Sequence, residues 1–161
     1  MQLPKRKPGK YSQIAPDHIM TEEKRDELEQ ELQNVKKKRS PAAKEVARLA
    51  ELGDFSENVE YQLAKGRLRG INSAILRLEY RINHADLIKK NKSGKIQIGS
   101  TVTVKTPKSQ KIYTILGASE SSPSKGIISH LSPLGSALLG HKVGDVVNVE
   151  KVGECKVLEA K

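Results

Sequence analysis

Two long stripes of apolar residues, separated by a short connection, constrain the fold of this chain more than any other feature. The steps of three and four residues within each stripe keep its members on one face of an α-helix. The first stripe is Leu28, Leu32, Val35, Arg39, Ala42, Val46 and Leu49, broken only by Arg39. The second is Tyr61, Ala64, Leu68, Ile71, Ile75, Leu78, Ile82 and Ala85. We therefore predict two amphipathic helices that bury these faces against each other.

The short connection LGDFSEN at 52–58 requires the two helices to fold back as an antiparallel hairpin. Arms of about 30 residues would each be about 45 Å long, which places the tip far from both termini. Thr21, followed by two glutamates, is typical of a helix start because its hydroxyl can accept a bond from a free backbone amide. Pro41 lies inside the first arm, where Ser40-Pro41 should kink or restart the helix, and we expect a kink near mid-length.

Beyond 91–94 the apolar pattern changes from helical spacing to short β-type runs, and we place a domain boundary there. Ser132 and Pro133 are typical of a helix start and Gly140 of a stop, which predicts one short helix between strands. The expected strands are 96–104, 111–116, 127–129, 146–149 and 156–158. The predicted fold is α+β, a long coiled-coil hairpin followed by a small antiparallel α+β domain.

The predicted organisation has three parts. A basic, flexible extension occupies residues 1–19, where lysine and arginine mix with proline and glycine. The hairpin occupies 20–90 with its tip at 53–58, and the second domain occupies 91–161.

Charge and cysteine usage limit the classes of function. The chain has 29 Lys and Arg against 19 Asp and Glu, a net charge of +10 that favours polyanionic partners such as nucleic acid. Cys155 is the only cysteine, and the four histidines are scattered, so a zinc site is not expected. Without an apolar run of about 20 residues, a membrane span is not expected either. We expect a cytoplasmic monomer.

The tip carries two carboxylates, Asp54 and Glu57, three residues apart in an otherwise basic protein. Carboxylates are hard oxygen ligands that suit Mg²⁺, which commonly takes one or two of them together with substrate phosphates. The same spacing also fits a capping box, in which both side chains only bind backbone amides. Ser56 could instead be the cap, in which case the Asp54 carboxylate would be free to project from the tip. Spacing alone favours the capping interpretation, and the sequence does not decide whether Asp54 or Ser56 is the cap.

Three segments resemble one known family. LGDFSENVEYQLAKGRLR is similar to a tip motif of the form GD-x-x-EN-x-EY, and KGIISHLSPLGSALLGHKVGDVV to a motif of the form SP-x-x-x-AL-x-G-x-x-x-GD. MTEEKRDELEQEL is similar to the opening of the first helix. Both motifs, in this order and joined by a hairpin, are typical of the bacterial Gre transcript-cleavage factors of the GreA/GreB type. The resemblance covers nearly everything from Met20 onward.

The resemblance implies an FKBP-like second domain that docks on RNA polymerase, and a hairpin that enters the enzyme's secondary channel. Asp54 and Glu57 would then help hold a second Mg²⁺ of the polymerase active site, which cleaves the 3′ end of backtracked RNA. The chain would be an accessory factor rather than an enzyme, associated with the nucleoid through polymerase. Gly53, Ser56 and Asn58 would support the tip.

Basic residues on the hairpin are candidates for contact with RNA phosphates, although a solvated helix face explains most of them. The candidates are Arg39, Lys44, Arg48 and Lys65. Tyr61 falls on the buried stripe and is predicted to belong to the core.

Two rival hypotheses are a Gre-like protein that blocks the channel without stimulating cleavage, and a basic coiled coil that binds RNA or DNA with a tip that has no chemistry.

Overall fold

A computed structural model describes residues 16–51, 59–89, 94–106, 109–150 and 152–161. Within them the chain forms a helical hairpin and a five-stranded sheet with one short helix. The helices are α1 (Glu22–Ala50), α2 (Val59–Asn83) and α3 (Pro133–Leu138). The strands are β1 (Ile19–Met20), β2 (Asp86–Leu87), β3 (Thr101–Lys105), β4 (Gln110–Leu116), β5 (Ile127–Ser129), β6 (Val146–Val149) and β7 (Gly153–Ala160). The predicted fold class, a hairpin followed by a small α+β domain, is confirmed by these elements.

Helix α1 begins as predicted, because the Thr21 hydroxyl oxygen accepts a hydrogen bond of 3.1 Å from the Lys24 amide. It then continues through Pro41 to Ala50 as one helix. A restart at Ser40-Pro41 is therefore wrong, whereas the expected kink stays a prediction. The apolar stripe runs past the proline on both sides, from Leu32 to Leu49, and packing against α2 favours a continuous helix over a break.

The apolar stripes lie between the two arms, as their spacing predicts. The core at the base of the hairpin joins α1, α2 and β1. Its buried members are Met20, Leu28, Leu32, Ile75 and Leu78. Leu49 and Ala64 are the buried residues nearer the other end. Arg39, the polar member of the first stripe, is exposed, and its Nε donates to Oδ1 of Asn72 across the arms at 3.0 Å.

The sheet of the second domain has the strand order β5-β4-β3-β7-β6. Three of its pairings are antiparallel, but β4 and β5 run parallel, with Thr114 opposite Ile127 and Leu116 opposite Ser129. The prediction of a purely antiparallel domain is thus wrong for this pair. The connection 117–126 contains two short 3₁₀ helices, Ala118–Glu120 and Pro123–Lys125, and returns the chain to the level of Thr114, so that β5 runs beside the last three residues of β4.

The predicted strands are found, and two of them differ from the prediction by more than one residue at an end. The prediction of 96–104 is wrong at its start, since 96–100 forms a turn before β3; Ser100 donates its amide to Gln97 at 3.0 Å, and Gly99 has a φ of 97°. Strand β7 is longer than predicted and begins at Gly153. Helix α3 follows Ser132 as predicted, since the Ser132 hydroxyl accepts from the Gly135 amide.

Candidate functional site

The predicted tip lies between the two arms of the hairpin. α1 ends at Ala50 and α2 begins at Val59, so both predicted carboxylates fall in the stretch of sequence between the two helices. All five predicted tip residues lie outside the residues that the structure describes: Gly53, Asp54, Ser56, Glu57 and Asn58. What the structure does describe is the charged surface of the arms that leads to this segment.

Arg48 is paired along its own helix. Its Nη2 and Nε lie 2.8 and 3.0 Å from the two carboxylate oxygens of Glu45, a forked arrangement one helical turn apart. The hydrogen bond from Arg48 lowers the pKa of Glu45, and the bond to Glu45 raises the pKa of Arg48. Arg48 therefore reaches solvent with part of its charge already balanced.

Arg39 and its neighbours connect the two arms instead. The Arg39 guanidinium is bound to Asn72, and Lys36 Nζ lies 2.7 Å from Oε1 of Glu79. These four residues line one shallow groove between the helices. The Arg39 guanidinium is thus held in place by α2 through its Nε.

Lys44 and Lys65 differ in whether the ammonium contacts a neighbouring side chain. Lys65 places its ammonium 5.3 Å from the centroid of the Tyr61 ring, a cation–π contact within one turn of α2. Lys44 is exposed, and within the part of the chain that is described it has neither a hydrogen-bond nor an ion-pair partner. Of the four predicted basic residues, Lys44 is the one that has no contact of this kind with another described side chain.

Arg67 is a further basic residue of the hairpin, outside the four predicted to contact RNA phosphates. It lines two adjoining grooves near the end of the hairpin, one with Arg48 and Glu45 and the other with Lys37 and Pro41. Its position depends on how α2 is aligned against α1, and no spacing within α2 alone indicates it. Two of the four predicted residues line grooves, and these grooves are separate: Arg39 lines one, and Arg48 lines the other together with Arg67.

In the described segments no group of three or more histidine, cysteine or acidic side chains is arranged to hold a metal ion. None of the helices described is long and apolar enough to cross a membrane.

Comparisons with known proteins identify both halves of the chain. Residues 18–87 match the family "Transcription elongation factor, N-terminal", and residues 90–160 match "Transcription elongation factor, GreA/GreB, C-term". The transcription elongation factor GreA of Macrococcus caseolyticus is 41% identical over 137 residues, which cover 83% of this chain and 87% of the relative. The GreA of Nautilia profundicola is 40% identical over 146 residues, covering 87% and 90%.

Among solved structures, the GreA factor homolog 1 (Gfh1) of Thermus thermophilus is 25% identical to this chain. The alignment covers 88% of this chain and 97% of that one, with a TM-score of 0.41.

Proposed function

Because this chain belongs to the GreA/GreB family of transcription elongation factors, we propose that it binds bacterial RNA polymerase and stimulates Mg²⁺-dependent cleavage of the 3′ end of backtracked RNA. The match of both halves, in order, to this family is the observation that carries the proposal. The activity is that of an accessory factor: the active site of polymerase cleaves the RNA.

The form of the hairpin supports this role. α1 has 29 residues and is therefore about 44 Å long at 1.5 Å per residue. Cross-arm contacts pair Lys36 with Glu79 and Arg39 with Asn72, which is the register of a closed antiparallel hairpin. A narrow arm of this length can carry its tip through a channel while the second domain stays outside and docks on the enzyme.

The two carboxylates at the tip fit an Mg²⁺ ion that is bound jointly with polymerase better than an ion that this chain would bind alone. Asp54 and Glu57 supply only carboxylate oxygens, and Mg²⁺ sites that act on phosphates use one or two such ligands together with substrate oxygens and water. In a two-metal site the ions stabilise the attacking and leaving oxygens of the phosphoryl group. Asp54 is the more direct ligand, and Glu57 either binds the ion or orients water. Gly53, Ser56 and Asn58 support the turn.

The arms contribute positive charge beside the path of the RNA. Lys44 offers an unshared ammonium, whereas Arg48 offers a guanidinium that Glu45 already contacts. Arg39 and Lys65 are each held by a neighbour on the hairpin surface. Contacts of this kind with phosphate are independent of base sequence and weaken with salt, so they position the transcript without selecting it.

The test follows 3′ cleavage of labelled RNA in stalled, backtracked polymerase complexes with Mg²⁺. It compares no factor, the native chain, Asp54→Asn, and Glu51→Gln as a variant that removes one charge beside the tip. We expect the native chain and Glu51→Gln to speed cleavage and Asp54→Asn to lose this effect while still binding the complexes.

Asparagine also caps helices, so a purely structural Asp54 would leave Asp54→Asn active. A native chain that binds the complexes but slows cleavage would overturn the proposal in favour of an inhibitor.

A further inference from the structure

The hairpin and the second domain are joined by a carboxylate from the second domain that binds the first residue of the hairpin. Glu120 accepts two hydrogen bonds from Thr21, one of 2.9 Å from the backbone amide and one of 2.6 Å from the hydroxyl. The same hydroxyl oxygen caps α1 by accepting from the Lys24 amide. Glu120 therefore holds the residue at which the long arm begins.

A second carboxylate makes the reciprocal contact. Asp17 precedes the hairpin, and its Oδ2 accepts a bond of 2.6 Å from the amide of Ala118, the first residue of the 3₁₀ helix that carries Glu120. Its Oδ1 accepts from the Ile19 amide at 3.1 Å. Nδ1 of His130 lies 3.6 Å from Oδ2 of Asp17, and these two side chains are only 13% and 10% exposed. The hairpin side and the second domain thus each contribute one carboxylate that accepts a hydrogen bond from a backbone amide of the other.

Gly117 allows the two sides to approach this closely. A Cβ added there would overlap the carbonyl oxygen of Ile19 and lie 3.5 Å from the Asp17 carboxylate. The φ of Gly117 is −65°, which any residue can adopt, so the glycine is required by space rather than by backbone conformation. A side chain at this position would have to push the hairpin and the second domain apart.

The segment that these groups hold is itself fixed to the hairpin. Ile19 and Met20 form β1, which pairs in parallel with Asp86 and Leu87 just after α2. Met20 is 1% exposed and packs in the core at the base of the hairpin. A movement of this segment relative to the second domain would therefore carry both arms with it.

The length of the arms amplifies any such movement. For an arm of about 44 Å, a rotation of about 10° at the base displaces the far end by about 8 Å. Reacting groups need far tighter placement, since an error of about 1 Å can cost roughly 100-fold in rate. The contacts at Asp17, Gly117 and Glu120 thus lie at the base of the hairpin, where a small rotation produces a large displacement of the tip.

We propose that Asp17, Gly117 and Glu120 form an interdomain clamp that sets the angle of the hairpin to the second domain and so positions the tip. They are positioning residues, since they lie at the end of the hairpin opposite to the tip. The effect on cleavage rests on the function proposed above, whereas the angle is a property of this chain alone.

The angle is tested with spin labels on the full chain. Leu63→Cys on α2 and Val146→Cys on β6 provide exposed label positions, and native Cys155 is buried. We expect one narrow distance distribution in the parent, and a broader or shifted one after Glu120→Ala or Gly117→Ala. Glu154→Ala removes an exposed glutamate on β7 and should leave the distribution unchanged. Unchanged distances in both clamp variants would overturn the clamp.

The consequence is tested in the cleavage assay without labels. We expect Glu120→Ala to lower the maximal rate roughly 10- to 100-fold while the factor concentration for half-maximal effect stays the same. Glu120→Gln keeps one oxygen acceptor for Thr21, so its maximal rate should lie between the rates of the native chain and Glu120→Ala. Altered distances with a normal maximal rate would overturn the positioning role. A native chain that fails to stimulate cleavage overturns the proposed function instead, and the distances still decide the clamp.

Discussion

Lys36 Nζ lies 2.7 Å from the Glu79 carboxylate, an ion pair that joins the two arms of the hairpin on their solvent side. The two side chains are 43% and 37% exposed, so water screens the attraction between them. Leu32 and Ile75, four residues before Lys36 and Glu79 on their own helices, are buried in the core between the two arms. The pair marks the register of the arms, and the apolar contacts beneath it supply their stability.

We therefore predict that Lys36→Ala lowers the free energy of unfolding by less than about 1 kcal/mol. Leu28→Ala, which removes a core side chain that is 2% exposed, should lower it by about 2–5 kcal/mol. Urea denaturation followed by circular dichroism measures both. A larger loss for Lys36→Ala than for Leu28→Ala would show that the arms depend on the ion pair.

The pair between Glu45 and Arg48 gives a prediction about pH. The hydrogen bond from Arg48 holds the pKa of the Glu45 carboxyl below its ordinary value of 4.5. Because the folded pKa is the lower one, the stabilising effect is present above pH 4.5 and is lost as the pH falls through the lowered value. NMR titration of the Glu45 carboxyl should show a midpoint below 4.5, and Arg48→Gln should raise it. An unchanged midpoint in Arg48→Gln would contradict the pairing.

The hairpin was predictable because its stabilising pattern is local. Leu28, Leu32, Ile75 and Leu78 repeat at helical spacing, and all four are buried where the stripes place them. Strand β5 was also found at its predicted residues. Each prediction needed only the order of apolar residues within one segment.

Contacts between distant segments could not be predicted in the same way. Asp17 and Ala118 are 101 residues apart, and Thr21 and Glu120 are 99 apart, so no spacing indicates that they meet. The parallel pairing of β4 and β5 depends on the path of 117–126, whose short 3₁₀ helices have no periodic pattern. The predicted roles of Asp54 and Glu57 remain predictions, since they lie outside the described residues.

Pro41 gives a test of the continuous α1. A proline inside a helix removes one hydrogen bond and crowds the preceding turn, at a cost of up to about 3 kcal/mol relative to alanine. Since α1 runs through this exposed position, we expect Pro41→Ala to raise the free energy of unfolding by about 1–3 kcal/mol. Chemical denaturation measures the change, with Ala43→Gly, at another exposed site of α1, as the opposite control. No gain would contradict an uninterrupted helix at Pro41.

Cys155 should be unreactive in the folded protein. Its side chain is fully buried in the core of the second domain, and burial raises the pKa of its thiol, which disfavours the reactive thiolate. We expect a thiol reagent such as dithionitrobenzoate to modify Cys155 at pH 8 only as fast as the domain opens. Rapid modification without denaturant would show that β7 separates from its neighbours in the native state. Val146→Cys, at an exposed site on β6, is the reactive control.

The difference between Lys44 and Arg48 predicts which basic residue matters more for RNA. Glu45 already balances part of the Arg48 charge, whereas Lys44 has no such partner among the described residues. Lys44→Gln should therefore weaken cross-linking of the factor to backtracked RNA more than Arg48→Gln, and Glu45→Gln should strengthen it by releasing Arg48. Each phosphate contact that is lost should reduce the slope of log affinity against log salt by about 1. Lys142→Gln, exposed in the second domain, controls for net charge. Equal losses in all three lysine and arginine variants would show that only the total charge of the chain counts.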